Sequence, residues 1–347
     1  MDAVGRRREA ALLVALALLL TAVLAGVSVG TVAMPPLDVL TTLLDRLPGL
    51  RLAGGLDAVD TRILLDIRVP RVLLTALVGA ALAVAGASYQ GVFRNPLADP
   101  YLLGAAAGAG LGATLVIAYA PVREIGPVGV VPLAAFAGAL GGVLLAYSLG
   151  TAASRSGGGS ATLLLAGVAV ASFLTAAQTM VQQSRTENLR EVYAWIMGQL
   201  GTAEWRQLGL VLPYIVVAVV VVLCAGRALD VLALGDEEAQ ALGVDPRRVR
   251  FVVLCAASLG TAAAVAVSGL IGFVGLVVPH VVRRLVGGSY RVVLPVSLVG
   301  GGAFLVLADL VARTVVAPAE LPIGVVTAFV GAPFFAALLR VGGGVQQ

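Results

Sequence analysis

No lysine occurs anywhere in the chain; all 23 basic residues are arginine. The phosphate-gripping loop GxxxxGK[ST] needs that lysine to reach the β- and γ-phosphates, so the chain contains no such loop. The clusters Gly157-Gly158-Gly159 and Gly300-Gly301-Gly302 are therefore not nucleotide loops. Schiff-base chemistry is excluded for the same reason. The only histidine is His280, which rules out a His-rich metal site or a haem-ligating histidine pair within one chain. The two cysteines, Cys224 and Cys255, lie in or beside apolar runs and read as small buried hydrophobes. Charge is scarce as well: 12% of residues carry it, against about 25% in a soluble domain.

What fills the chain instead is apolar. Hydrophobic residues make up 59% of it, and the mean hydropathy is +1.01. The runs Ala10 to Gly30, Leu210 to Gly226 and Phe251 to Pro279 are long enough to cross a bilayer. Backbone groups cannot stay unpaired in lipid, and these runs lack the alternation of barrel strands, so they are helices. The pattern predicts an all-α polytopic membrane protein, one transmembrane domain over residues 1–347. Ten spans fit, at about 10–33, 64–90, 99–120, 128–150, 161–182, 206–226, 250–270, 271–287, 292–313 and 322–340. Arg6-Arg7-Arg8 resembles the start of a signal peptide, but the apolar run that follows is longer than about 7–15 residues. It reads as an uncleaved first span.

An even number of spans places both termini on one side. The positive-inside bias makes that side the cytoplasm: Arg94, Arg227, Arg247, Arg248, Arg250, Arg283, Arg284, Arg291 and Arg340 cluster at span ends there. Met34 to Arg62 then reads as a long external loop, and Ala153 to Ser160 as a flexible internal turn. Arginine is also frequent outside, at Arg46, Arg51, Arg62, Arg68, Arg71, Arg123, Arg185, Arg190, Arg206 and Arg313. Ala83-Val84-Ala85-Gly86 and Ala266-Val267-Ser268-Gly269 precede Pro96 and Pro279 at equal spacing and in opposite orientation, a hint of an inverted repeat.

Four segments carry functional expectations. The first is the cytoplasmic stretch at about 230–249. There Asp236, Glu237 and Glu238 suit the first turn of a short helix, Gly243 its end, and Asp245-Pro246 the start of the next helix. A capped helix on that face is a docking surface, with Leu234, Gly235, Glu238, Ala239, Leu242 and Gly243 as its coupling residues. The second is Arg94 to Gly104, two prolines followed by a helix whose Gly104, Gly108, Gly110 and Gly112 permit close packing. The third, Gly269 to Arg284, is an irregular helix pair at membrane depth, in which His280 is expected to make a structural hydrogen bond. The fourth joins Asp309 and Arg313, spaced to pair, to Ala319-Glu320-Leu321-Pro322-Ile323-Gly324.

Together these segments resemble the FecCD-type permeases of ATP-binding-cassette importers for ferric siderophores, haem and vitamin B12. The motifs are Arg68-Val69-Pro70-Arg71, Gln90 to Pro100, Leu234-Gly235 to Leu242-Gly243, Gly272 to His280, and Ala319 to Gly324. The resemblance implies a type II importer subunit of ten helices with inverted repeats, in a bacterial or archaeal inner membrane. It implies a second permease subunit as homodimer partner, two cytoplasmic ATPases that hold ATP and Mg, and an external binding protein. This chain would hold no cofactor, no catalytic residue and no metal, and would contact lipid but no nucleic acid. Arginines at the positions of Arg68, Arg71 and Arg313 would receive glutamates of the binding protein. Gln178, Gln182 and Gln183 in span five and Thr327 in span ten are expected to border the pathway. The cargo expected is a metal chelate, a ferric siderophore ahead of haem or cobalamin. An ion-coupled secondary transporter is the alternative, though its coupling acids within spans are missing here, Asp309 being the nearest exception. An intramembrane enzyme finds no HExxH motif, no GxSxG beside a base and no paired intramembrane aspartates to support it.

Overall fold

A computed structural model describes residues 3–30, 32–46, 55–120, 124–125, 128–154, 160–201 and 203–342. Arg51, Arg123, Arg155, Gly157-Gly158-Gly159 and most of the internal turn at 153–160 lie outside the described residues, as do the side chains of Arg6 and Arg7. The helices are α1 (Ala3–Ser28), α2 (Pro36–Leu44), α3 (Ala58–Arg62), α4 (Val69–Phe93), α5 (Ala105–Tyr119), α6 (Val130–Ser154), α7 (Ser160–Ser184), α8 (Leu189–Ile196), α9 (Trp205–Cys224), α10 (Gly226–Leu232), α11 (Asp236–Ala241), α12 (Pro246–Ser268), α13 (Val274–Val286), α14 (Tyr290–Thr314) and α15 (Ile323–Gly342). A π-helical turn, Ile63–Arg68, fuses α3 to α4. Strands β1 (Glu124–Ile125) and β2 (Val128–Gly129) pair as a small hairpin.

Among the described residues, seven helical stretches are long and apolar enough to cross a membrane. The shorter α5, α13 and α15 occupy the positions of the other three expected spans. Burial sorts the helices into an inner and an outer set. The most apolar stretches of α4, α12 and α14 are 78%, 72% and 67% buried inside the chain, whereas that of α1 is 17% buried. The central three are therefore packed by protein on most sides, and α1, α7 and α9 present broad apolar faces outward.

Apolar solvent gives no drive for helices to associate, so close packing has to come from small residues. A Cβ placed on Gly79 would lie 2.3 Å from the Gly301 carbonyl oxygen, which brings α4 against α14. The same atom on Gly86 would lie 2.0 Å from the Gly275 oxygen, which seats α13 on α4. Gly108 and Gly112 meet Gly138 and Ala134 in the same way, and a Cβ on Gly142 would lie 2.4 Å from the Gly104 oxygen, so the expected packing role of these glycines holds. Tyr89 and Ser258 join α4 to α12 through a 2.7 Å hydroxyl pair.

The chain is broken where the sequence predicts irregular helices. Residues 269–273 leave α12 without regular structure before α13 begins. Gly269 makes the turn possible, with a φ of +69 and the Trp195 carbonyl 2.2 Å from where a Cβ would sit. Exposed backbone at this depth needs a partner. The Tyr101 hydroxyl supplies it, donating to the Ile271 oxygen at 3.0 Å and accepting from the Ile271 nitrogen at 3.2 Å. Gln90 adds a second tie, its Nε2 donating to the Gly275 oxygen at 3.0 Å while its Oε1 accepts from Arg283 at 2.6 Å.

Candidate functional site

The two ends of the helix bundle carry different sites. At the end where α4 begins and α14 finishes, Arg71 is held between two carboxylates. Its Nη2 lies 2.8 Å from Asp309 and its Nη1 2.9 Å from Glu320. Both Glu320 oxygens accept from the one guanidinium, the bidentate geometry that arginine favours. Asp309 also faces Arg313 at 3.5 Å, as their spacing predicts. The side chain of Asp309 is 2% exposed and that of Glu320 47%, so the cluster runs from the interior to the rim. Hydrogen bonding to Arg71 holds the Glu320 carboxyl below its ordinary range. A cavity of about 250 Å³ opens beside it, lined by Arg71, Asp309, Glu320 and the backbone around Gly198 and Gly201.

This geometry corrects the expected surface placement of Arg68, Arg71 and Arg313. They are only 5%, 9% and 8% exposed. Arg68 donates to the carbonyls of Val27 and Ser28 at 2.9 Å and to that of Val32. Arg313 donates to the Gly26 carbonyl. The last carbonyls of a helix have no partner of their own, and a cation there also suits the dipole. Two of the three arginines thus close the end of α1.

At the opposite end, the segment at about 230–249 folds as its sequence predicts. Asp236 opens α11, and Gly243 follows it with a φ of +79. Gly243 N donates to Gln240 O and Val244 N to Ala239 O, both at 2.9 Å, the paired bonds of a Schellman stop. The Asp245 carboxylate caps α12 through the amides of Arg247 and Arg248. Leu234 and Leu242 stand 64% and 62% exposed, and Glu238 is exposed beside them. Ala239 is fully buried and packs beneath the helix, so it cannot itself face a partner. Asp236 does more than favour the helix dipole. It binds Arg250 of α12 at 2.6 Å and Arg94, just past α4, at 3.0 Å. The hydrogen bonds from Arg250, together with the Arg94 charge, hold its pKa below the ordinary value. By linkage this contribution is complete above the unfolded aspartate pKa and is lost only as pH falls through the lowered folded value.

The expected pathway residues separate. Gln178 is buried and donates to the Thr114 hydroxyl at 3.2 Å, against Gly110 of α5. Thr327 is fully buried and donates to the Gly324 carbonyl at 3.1 Å. Both are packing residues within this chain, a correction to the sequence reading. Gln182 is half-buried and Gln183 exposed. In a background without Cys224 and Cys255, both exposed rather than buried as expected, Gln183→Cys should react with an aqueous maleimide, while Gln178→Cys and Thr327→Cys should stay protected. Equal labelling at the three positions would overturn this division.

Other connections carry no sequence signal. Asp230 of α10 accepts from the Ser289 hydroxyl at 2.9 Å and from Tyr290 N, capping α14 from 59 and 60 residues away. His280 makes no hydrogen bond through Nε2; its ring meets Phe334 edge-on at 5.9 Å, so the expected structural bond is missing there. Among the described residues no three His, Cys, Asp or Glu side chains converge to hold a metal.

The comparisons with known proteins fit a helical permease with these two ends. Residues 18–341 match the FecCD transport family. The chain is 46% identical over 274 residues to the cobalamin import system permease protein BtuC of Halobacterium salinarum, covering 79% of this chain and 72% of that one. It is 44% identical over 277 residues to the hemin transport system permease protein HmuU of Yersinia pestis, covering 78% and 81%. A solved metal-chelate type ABC transporter in an inward-facing conformation superposes with a TM-score of 0.81 at 28% identity, covering 95% of this chain and 98% of that one. The chain belongs to the FecCD transport family, the multi-pass membrane permeases of ATP-binding-cassette importers.

Proposed function

We propose that the chain forms half of an import channel for a metal chelate, with the α11 end in the cytoplasm and the Arg71 end outside. The relatives named for cobalamin, hemin and, at 41% identity, Fe(3+) dicitrate share one cargo chemistry, a metal wrapped in an organic ligand. A ferric siderophore is the preferred member of that class, and mass spectrometry of cargo on the cognate binding protein would identify it. Arginine enrichment supports the orientation, with both termini cytoplasmic. A second copy completes the pathway, and the exposed Phe173 and Phe329 support such a partner. An external binding protein docks over the cavity beside Arg71. ATP and Mg are held by separate cytoplasmic ATPases, a reading supported by the lack of any lysine for a phosphate loop in this chain.

The single observation that carries the reading is α11. It is stopped at its C-terminal end by Gly243, tied inward by Asp236, and leaves Leu234, Glu238 and Leu242 exposed. Those residues sit in a groove of the ATPase, and its closure moves α4 and α12 through Arg94 and Arg250. Ion coupling is disfavoured because the buried Asp309 is already held between Arg71 and Arg313, and Asp99 accepts from the Tyr101 amide at 2.8 Å. The test is co-purification and transport with a Glu238→Arg, Gly243→Val double variant. Glu238→Arg reverses the exposed charge, and Val is strained at the positive φ of Gly243. Membrane insertion should persist while ATPase association and uptake fall to background. Normal coupled uptake would overturn the assignment.

A further inference from the structure

A groove of about 320 Å³ runs between α13 and α15 near their α11 ends. Val281 and Leu285 form one wall and Phe334, Ala337 and Leu338 the other, while His280 and Arg284 supply the polar atoms. His280 and Arg284 are four residues apart on one helix face, so the imidazole lies about 6 Å deeper than the guanidinium. The buried His280 Nε2 has no hydrogen-bond partner. No described carboxylate pairs with Arg284. Arg340, exposed, follows Ala337 by three residues in the last turn of α15 and adds a second positive charge near that end.

We propose that this groove seats one anionic phospholipid of the leaflet that meets the α11 end. The chemistry is layered in the order a lipid requires. Arg284 meets the phosphate at the membrane surface, where a guanidinium binds two oxygens at once. His280, one turn deeper, donates from Nε2 to an ester carbonyl. The acyl chain lies between Leu285, Phe334 and Leu338, which offer it only apolar atoms. A free phosphate would leave those walls unfilled, and a neutral headgroup would leave two arginines uncompensated. Basic pockets between spanning helices on this side of a membrane select anionic headgroups for the same reason.

The test reconstitutes the full-length permease in membranes of phosphatidylglycerol and phosphatidylcholine, extracts it in mild detergent and measures the retained ratio by mass spectrometry. The wild type should retain phosphatidylglycerol selectively, and Arg284→Gln should lower that retention about fivefold, the effect of one arginine near a charged surface. His280→Ala should lower it without changing headgroup selectivity. Ala337→Trp keeps both polar groups and fills the groove, so it should exclude the lipid in a protein that still elutes as a single species. Retention unchanged in Arg284→Gln and Ala337→Trp would overturn the proposal. So would efficient disulfide formation between copies through Ala337→Cys in a background without Cys224 and Cys255, because the groove would then be filled by the second subunit.

Discussion

Replacing Asp309 by alanine should destabilise the folded permease by on the order of 3–5 kcal/mol, the usual result of removing one partner from a buried ion pair. Arg71 would keep Glu320, but Arg313, 8% exposed, would keep only the Gly26 carbonyl. The loss should appear as a lower midpoint of thermal aggregation in detergent and as poor recovery of monodisperse protein. The triple variant Arg71→Met, Asp309→Leu, Arg313→Met should recover most of it, since apolar groups of similar shape can replace a buried ionic cluster at little cost. It would leave the half-exposed Glu320 and the Gly26 carbonyl without their arginine partners. A loss below about 1 kcal/mol in the single variant would mean that the cluster behaves as a surface salt bridge.

The second large effect is expected at Gly86. A methyl group there would lie 2.0 Å from the Gly275 oxygen and 2.4 Å from its Cα. Both are backbone atoms, so no side chain can turn aside and α13 must move away from α4. Overpacking of this kind costs about 1–3 kcal/mol, and here it also pulls on Gln90 and Tyr101, which satisfy the broken segment. Gly86→Ala should therefore lower both folded yield and uptake. Gly141→Ala is the control, because nothing lies within 4 Å of its added carbon, and it should fall within about 0.5 kcal/mol of the parent. Equal behaviour of the two variants would refute the close-packing account.

Much of the fold is legible along the chain because its causes are local. Apolar length sets the spans, and acids, glycine and Asp-Pro set the ends of α11 and α12. The long external loop holds α2, which Pro35-Pro36 and the spacing of Val39 and Thr42 toward the protein could have suggested. Arg71 and Asp309 are different, because they lie 238 residues apart. An arginine at a span end reads as surface until the partners that bury it are known. Gln178 fails for a related reason. A polar residue on an apolar helix marks either water or a polar neighbour, and its neighbour Thr114 sits 64 positions away. The cysteines were misplaced because outward-facing and buried positions are equally apolar in a membrane helix, so hydropathy cannot separate them.

The helix α11 keeps two sets of residues apart. Asp236 and the buried Ala239 fasten it to the permease, while Leu234, Glu237, Glu238 and Leu242 have no such duty and point away. Under the proposed coupling role, partner recognition and structural anchoring are written in separate letters of this one short segment. Specificity for a particular ATPase can change at the outward positions while the attachment to α4 and α12 stays as it is, so related importers can share or exchange motors without redesigning the channel.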